Sequence, residues 1–180
     1  MENNDRDFLK NLILEEHSRP QAHRILDWIG SDAGRAALLV SIFLEGEYRT
    51  TQRAAWPLGD LGTKHPELLE PHLPKMLAFL KKTGNHVAVT RNMLRILGQI
   101  ELPKEHLGEI ADLVFKSAAD PKEPIAIRAF SLTVAWRVCQ IEPELSGELR
   151  MIIEAHLPFA TAAFKVRSRN ILAAMRSFPK

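Results

Sequence analysis

Apolar residues recur along most of this chain at the spacing of an α-helix, and the stretch 86–100 shows the pattern most plainly. Five apolar residues of this stretch fall at i, i+4, i+7, i+8 and i+11, on one face of a helix: Val89, Met93, Ile96, Leu97 and Ile100. Arg91 and Arg95 fall on the opposite side. The pattern predicts an amphipathic helix whose apolar stripe faces a core and whose arginines face outward.

The same periodicity predicts about ten helices and no convincing strand. Several ends are marked by proline and glycine: Pro20 opens a helix that Gly30 closes, which is the expected asymmetry. Two prolines, Pro71 and Pro74, are expected to kink or restart the helix that begins at Pro66. Asp120, followed by an acid three residues later, is a helix-start signal. Within the predicted helix 50–61, Pro57 and Gly59 are expected to disturb the helical geometry.

Arginines recur at similar places in the later helices, at positions 53, 91, 128 and 169, and their separations are 38, 37 and 41 residues. Two helices every ~40 residues is typical of HEAT and armadillo repeats. We therefore predict an all-α, HEAT-like α-solenoid of about five helical hairpins, stabilised repeat by repeat. The predicted single domain spans 1–180, with repeats at about 5–30, 32–62, 66–100, 103–141 and 143–178. A closed bundle of ten helices is the competing architecture.

The stretch 56–77, WPLGDLGTKHPELLEPHLPKML, followed by RNMLRILGQI at 91–100, resembles small bacterial HEAT-like repeat proteins. Ile127 and Arg128, followed by apolar residues, strengthen the resemblance, which covers the chain from about Ala22 onward. The resemblance implies a curved α-solenoid in which the second helix of each pair lines the concave side. It implies no settled activity.

Composition indicates an ordinary soluble globular protein, with 180 residues, 46% of them hydrophobic and 26% charged, and a net charge of +2. No acid follows Glu154, so the end of the chain is basic, which permits an acidic partner without requiring one. The single cysteine, Cys139, excludes an intrachain disulfide and is expected to be a small buried hydrophobe. The first ten residues are unlike a signal peptide, and no apolar run approaches the ~20 residues of a membrane span. We expect a cytoplasmic protein with no membrane contact.

All three tryptophans lie away from the apolar stripes and are interleaved with arginines. In a solenoid such positions converge on one concave surface, and arginine and tryptophan are enriched at binding hot spots. The sequence therefore predicts a non-catalytic binding or scaffold module, with a protein or peptide as its partner. The candidate binding residues are Arg24, Trp28, Arg53, Trp56, Asp60, Arg91, Arg95, Trp136 and Arg169. The competing interpretation is a structural adaptor with no concave ligand, in which the tryptophans pack between repeats and the arginines bridge loops.

Trp56 and Asp60 are spaced i, i+4 and so lie one above the other on a helix. This pair is similar to the HEAT-like alkylpurine DNA glycosylases, in which an aromatic residue and an aspartate one turn apart face the lesion. The resemblance implies an alternative function of nucleic-acid binding, with Asp60 stabilising the cationic sugar as a base leaves. The family's fuller tryptophan-rich motif is absent.

No other group of residues predicts a reaction. The sequence 59–64 has the letters of a phosphate-binding loop but lacks adjacent Gly-Lys-Ser/Thr and follows a helix. The histidines lack i, i+4 spacing, so we expect no metal site and no cofactor. The glutamate pairs at 101/105 and 144/148 are expected to be solvated helix faces.

Overall fold

The computed structural model describes residues 2–45, 47–82 and 85–178 of the chain. Within those ranges the secondary structure is helical and contains no strand, which confirms the predicted all-α class. The α-helices are α1 Glu2–Glu15, α2 Arg19–Ile29, α3 Ala33–Glu45, α4 Tyr48–Lys64, α5 Pro66–Leu69, α6 Leu73–Leu80, α7 Val87–Leu97, α8 Leu107–Ala119, α9 Ile125–Ile141, α10 Ser146–His156 and α11 Ala162–Ser177. Short 3₁₀ segments cover Glu70–His72, Lys104–His106, Pro143–Leu145 and Leu157–Phe159.

The tertiary contacts divide the chain into two compact units. Unit 1 comprises positions 1–101 and contains α1 to α7. Unit 2 comprises positions 102–180 and contains α8 to α11. Across both units, no helix in the described part of the chain is long and apolar enough to span a bilayer.

In unit 1 the helices pack as successive pairs. The second helices form one row, because α2 contacts α4 and α4 contacts α7, while α1 contacts α3 and α3 contacts α5 in a second row. The apolar stripes meet between the rows, where Leu39, Leu58 and Met93 are completely buried. The outward side of α4 and α7 is therefore left to their polar residues.

Two glycines of α4 pack closely against the end of α7 and the residues that follow it. A Cβ added at Gly59 would lie 2.6 Å from Gln99 Oε1, and one added at Gly62 would overlap Ile100 Cγ2. Since Gly59 lies beside Ile96 and Gly62 beside Ile100, the two helices run in the same direction. That is the arrangement expected for the second helices of neighbouring repeats.

In unit 2, α8 and α9 form the principal hairpin, and α9 also packs against α10 and α11. The core is closed by completely buried side chains from each helix, including Val114, Leu132, Leu149 and Phe164. Each helix of unit 2 thus contributes apolar side chains to one core.

Three local predictions had different outcomes. The helix beginning at Pro66 does break and restart, because α5 ends at Leu69 and α6 begins at Leu73. The expected disturbance at Pro57 was wrong, since α4 continues through this proline, which is buried. Asp120 does not cap a helix either: its carboxylate accepts a hydrogen bond from the Lys122 backbone N–H at 2.8 Å, and α9 starts only after Pro124.

Candidate functional site

The outward side of α4 carries three of the predicted binding residues together. Leu58 is completely buried, and Arg53, Trp56 and Asp60 lie on the opposite side of the helix, where each is partly exposed. At about 100° per residue they span a narrow arc centred opposite Leu58. The predicted grouping of these three side chains is therefore present in the structure.

The turn between α1 and α2 meets this side of α4. Arg53 Nη1 donates to the Leu14 carbonyl oxygen at 2.5 Å, and the Trp56 and His17 rings make an edge contact with centroids 5.8 Å apart. Arg24 joins the same turn through an ion pair with Glu15 at 3.3 Å. The turn 14–17 thus brings Arg24, Arg53 and Trp56 to one place, and it commits the Arg53 guanidinium to a helix C-terminus.

Asp60 lies one turn beyond Trp56 and is partly buried. Its carboxylate makes no ion pair within 4 Å and no hydrogen bond with a residue in the described part of the chain. In particular, Arg53 is directed to Leu14 instead. Asp60 is therefore not a partner in a structural ion pair with Arg53 or Arg91, and it stays available to a ligand.

The two arginines of α7 differ in the burial of their guanidinium groups. Arg91 is partly exposed and makes no hydrogen bond or ion pair to any described residue. Arg95 is also partly exposed, but its Nε is buried without a hydrogen-bond acceptor. One turn before it, Asn92 is almost completely buried, and its Nδ2 likewise has no acceptor.

Asn92 was not among the residues predicted from the sequence. It lies between the outward Arg91 and the core residue Met93, at the flank of α7 that also carries Ile96 and Gln99. Ile96 and Gln99 lie against Gly59 of α4, so Asn92 is on the side of α7 that faces α4. In the sequence, the only feature that could have indicated Asn92 is its position as a single polar residue beside the apolar stripe of α7.

We call His17, Trp56, Asp60, Arg91, Asn92 and Arg95 the Trp56 face. It combines a half-buried indole, one carboxylate, two guanidinium groups and two buried donors without acceptors. Among the described residues, three side-chain atoms of unit 2 are also buried without a hydrogen-bond partner, namely Arg128 Nη2, Ser131 Oγ and Ser168 Oγ.

Trp28 is held in a different environment. Its ring packs against Phe8 of α1, with centroids 5.4 Å apart, and the Arg35 guanidinium of α3 stacks 4.5 Å from its centre. Arg35 also donates to the Trp28 carbonyl oxygen at 2.7 Å. The structure therefore links Trp28 to the first helices rather than to Trp56.

In unit 2, Trp136 is half-buried and packs edge-on against Phe178, with centroids 5.3 Å apart. Both rings line a cavity of about 420 Å³ together with residues at the start of α10 and Arg150. Arg169 is exposed on α11. It is the eighth residue of its helix, whereas Arg128 is the fourth residue of α9, so the two do not occupy equivalent positions.

Arg128 has a structural role. It is nearly buried, its Nε donates to the Ala118 carbonyl oxygen at 3.2 Å, and its guanidinium lies 5.1 Å from the centre of the Phe164 ring. Like Arg53, it therefore satisfies the C-terminal end of a neighbouring helix, where a cation is also favoured by the helix dipole.

A separate depression in unit 1, about 670 Å³ in volume, lies between α1, α3 and the α5–α6 segment. Its charges are already engaged in part, since Arg6 donates to Ser41 Oγ at 2.9 Å and pairs with Glu45 at 3.6 Å. The pKa of His72 at its edge is lowered, first by burial and then by the charge of Lys75. None of the predicted site residues lines this depression.

The cysteine and the possible metal ligands in the described part of the chain do not form a reactive site. Cys139 is completely buried, and burial raises the pKa of its thiol to about 11, which matches the predicted small buried hydrophobe. Within residues 2–45, 47–82 and 85–178, no three histidine, cysteine or acidic side chains come together as a metal site.

Comparison with known proteins gives one match. A family model described as a HEAT repeat domain matches residues 9–175, and this confirms the HEAT-like fold expected from the arginine spacing and the paired helices. No curated protein and no solved structure matches the chain.

Proposed function

Because this chain belongs to the HEAT repeat domain family, we propose that it is a non-catalytic module that binds a protein or peptide on the Trp56 face. HEAT repeats commonly serve as scaffolds for protein–protein interaction. The observation that carries the proposal is the pair of buried donors without an acceptor on α7, Asn92 Nδ2 and Arg95 Nε, next to the helix that carries Trp56.

The chemistry of the Trp56 face favours an acidic, partly apolar segment. The half-buried Trp56 offers a flat apolar surface, and tryptophan and arginine are the residues that most often dominate binding energy. Arg91 and Arg95 favour carboxylates, which accept charge-assisted hydrogen bonds. Asp60 limits the site by repelling a second carboxylate placed beside it, so it contributes to specificity.

The remaining predicted residues have supporting roles in this proposal. Arg53 holds the turn 14–17 against α4, and Arg24 of α2 pairs with Glu15 in the same turn, so both position the face rather than contact the ligand. Trp28, Trp136 and Arg169 stay predictions as binding residues, as do the single five-repeat domain and the cytoplasmic location.

Selection of short peptides on the immobilised protein tests the proposal. We expect the enriched peptides to be rich in aspartate and glutamate. We expect Trp56→Ala to weaken their binding by about 2 kcal/mol, roughly thirtyfold in Kd, because hot-spot truncations have this size. Arg91→Glu reverses a charge that faces the ligand and should weaken binding at least as strongly.

Lys75→Glu is the matched control, because it makes the same charge reversal at an exposed residue outside the Trp56 face. Selected peptides that bind Trp56→Ala and Arg91→Glu as well as the natural protein would contradict the proposal. Tight, steeply salt-dependent binding of duplex DNA, with no acidic peptide selected, would support the nucleic-acid alternative instead. No observation on the molecule favours that alternative.

A further inference from the structure

The hairpin α10–α11 of unit 2 exposes more large apolar surface than any other described part of the chain. Met151, Phe159 and Val166 are 65%, 92% and 56% exposed, whereas the other exposed large apolar side chains are 48% exposed or less. All three lie in this one hairpin, on α10, in the intervening 3₁₀ turn and on α11.

Within each helix, the spacing places the apolar residues on one outward side. Met151, Ala155 and Phe159 follow each other at steps of four residues along α10 and into the turn. On α11, Ala162 and Val166 continue at the same spacing, and the alanines are exposed as well. The buried faces of these helices point elsewhere, toward Ile153 and Phe164, so the stripe is not part of the unit 2 core. We call Met151, Ala155, Phe159, Ala162 and Val166 the hairpin stripe.

The charges beside the hairpin stripe have opposite signs on the two helices. On α10, Glu148 and Glu154 are exposed, with Arg150 as the single exposed arginine of that helix. On α11, Arg169 and Arg176 are exposed, and the sequence contains no acid beyond Glu154. None of these five forms an ion pair with another side chain among the described residues.

We propose that the hairpin stripe is a self-association surface, on which a second copy of this chain packs through its own hairpin stripe. A two-fold axis that runs between and along the two helices places α10 of one copy over α11 of the other. The apolar stripes then cover each other, and each acidic helix faces a basic one. Such an isologous contact buries the same patch twice, which is the usual form of a symmetric dimer. Exposed contiguous apolar patches of this kind mark interaction sites.

Sedimentation velocity over the micromolar range tests this directly. We expect the natural protein to sediment as a concentration-dependent dimer. We expect Met151→Asp combined with Phe159→Asp to sediment as a monomer, because each dimer then has to remove four carboxylates from water and loses its largest apolar contacts. Val87→Asp is the matched control: it places the same charge at an exposed apolar residue of unit 1 and should leave the dimer intact.

A charge-exchange experiment identifies the arrangement. The acidic variant carries Arg169→Glu and Arg176→Glu, and the basic variant carries Glu148→Lys and Glu154→Lys. Alone, each variant has two helices of like charge at the interface and should be monomeric. Mixed in equal amounts, they restore opposite charges at both contacts and should form a mixed dimer.

Three results would overturn the proposal: a monomeric natural protein throughout the concentration range, a dimer that survives Met151→Asp with Phe159→Asp, or variants that stay monomeric when mixed. Circular dichroism and thermal melting of each variant distinguish loss of association from loss of folding. All of the substituted side chains are exposed, so we expect the helical content to be unchanged.

Discussion

The packing of α4 against Leu69 of α5 and against Ile100, just after α7, depends on the missing side chain at Gly62, and Gly62→Ala should therefore destabilise unit 1. The added Cβ would overlap Ile100 Cγ2 and lie 2.7 Å from Leu69 Cδ2, whereas ordinary contacts are 3.4–4 Å. Ile100 and Leu69 are both buried. Ile100 Cγ2 is attached directly to a branched Cβ, so it cannot move aside without a new rotamer or a backbone shift.

The size of the effect follows from two opposing contributions. Overpacking a well-filled core costs about 1–3 kcal/mol, and this site should be near the upper end because two side chains are displaced. Alanine is favoured over glycine inside a helix by about 1 kcal/mol. The net expectation is a loss of about 2 kcal/mol, which lowers the Tm of a chain of this length by roughly 4–8 °C.

Gly59→Ala is the matched control on the same helix face. Its Cβ would meet Gln99 Oε1 at 2.6 Å, but this atom is the end of a flexible, exposed side chain that can turn away. The helix-propensity gain then remains, and stability should be unchanged or rise by up to about 1 kcal/mol. Urea unfolding followed by circular dichroism measures both variants. Equal stability of the two variants, or a Gly62→Ala protein as stable as the natural one, would refute this account of the helix contact.

Three further predictions concern unit cores and titrating groups. Phe164→Ala should lower the free energy of unfolding, measured in urea, by about 3–5 kcal/mol, because it empties a completely buried position and removes the ring against the Arg128 guanidinium. A decrease of less than about 1 kcal/mol would contradict that packing. The pKa of the Cys139 thiol is raised from 9.0 to about 11, and only the thiolate reacts with disulfides. At pH 8 this thiol should therefore react with an aromatic disulfide about a hundredfold more slowly in the folded protein than in urea. Equal rates would refute the burial argument. The pKa of His72 is lower in the folded protein, so the unfolded chain binds the proton more readily than the folded one. The contribution of the neutral His72 side chain to stability is therefore full above pH 6.5 and is lost as the pH falls through the folded-state pKa. His72→Gln should therefore lose less stability between pH 7 and pH 5 than the natural protein, and identical pH profiles would show the shift to be absent.

Hydrophobic periodicity was sufficient to predict most of the helices, although α9 buries residues well beyond a single apolar stripe. Helix starts were less predictable where two local signals competed. Asp120 and the acid at 123 match a capping box, but the residue before a proline is driven out of the α region, so Pro124 prevents Glu123 from entering the first turn. The Asp120 carboxylate therefore closes a turn on Lys122 instead.

The candidate site was only partly predictable for a related reason. Helical phase correctly placed Arg53, Trp56 and Asp60 on one side of α4. It carried no information about the turn 14–17, nearly forty residues earlier, which takes the Arg53 guanidinium. Nor did it show that Phe8 and Arg35 enclose Trp28, because these contacts come from other helices. Periodicity along one helix identifies an outward side chain, but the neighbours of that side chain are set by tertiary packing.

The arginines that hold helix ends do so through backbone oxygens, and this has a consequence for how the sequence can diverge. Arg53 recognises the carbonyl of Leu14 and Arg128 that of Ala118, and a carbonyl is present whichever side chain the receiving residue carries. The donor positions are therefore constrained while the acceptor positions are free to drift. Repeats built this way can lose recognisable similarity to one another and still keep their helices in register.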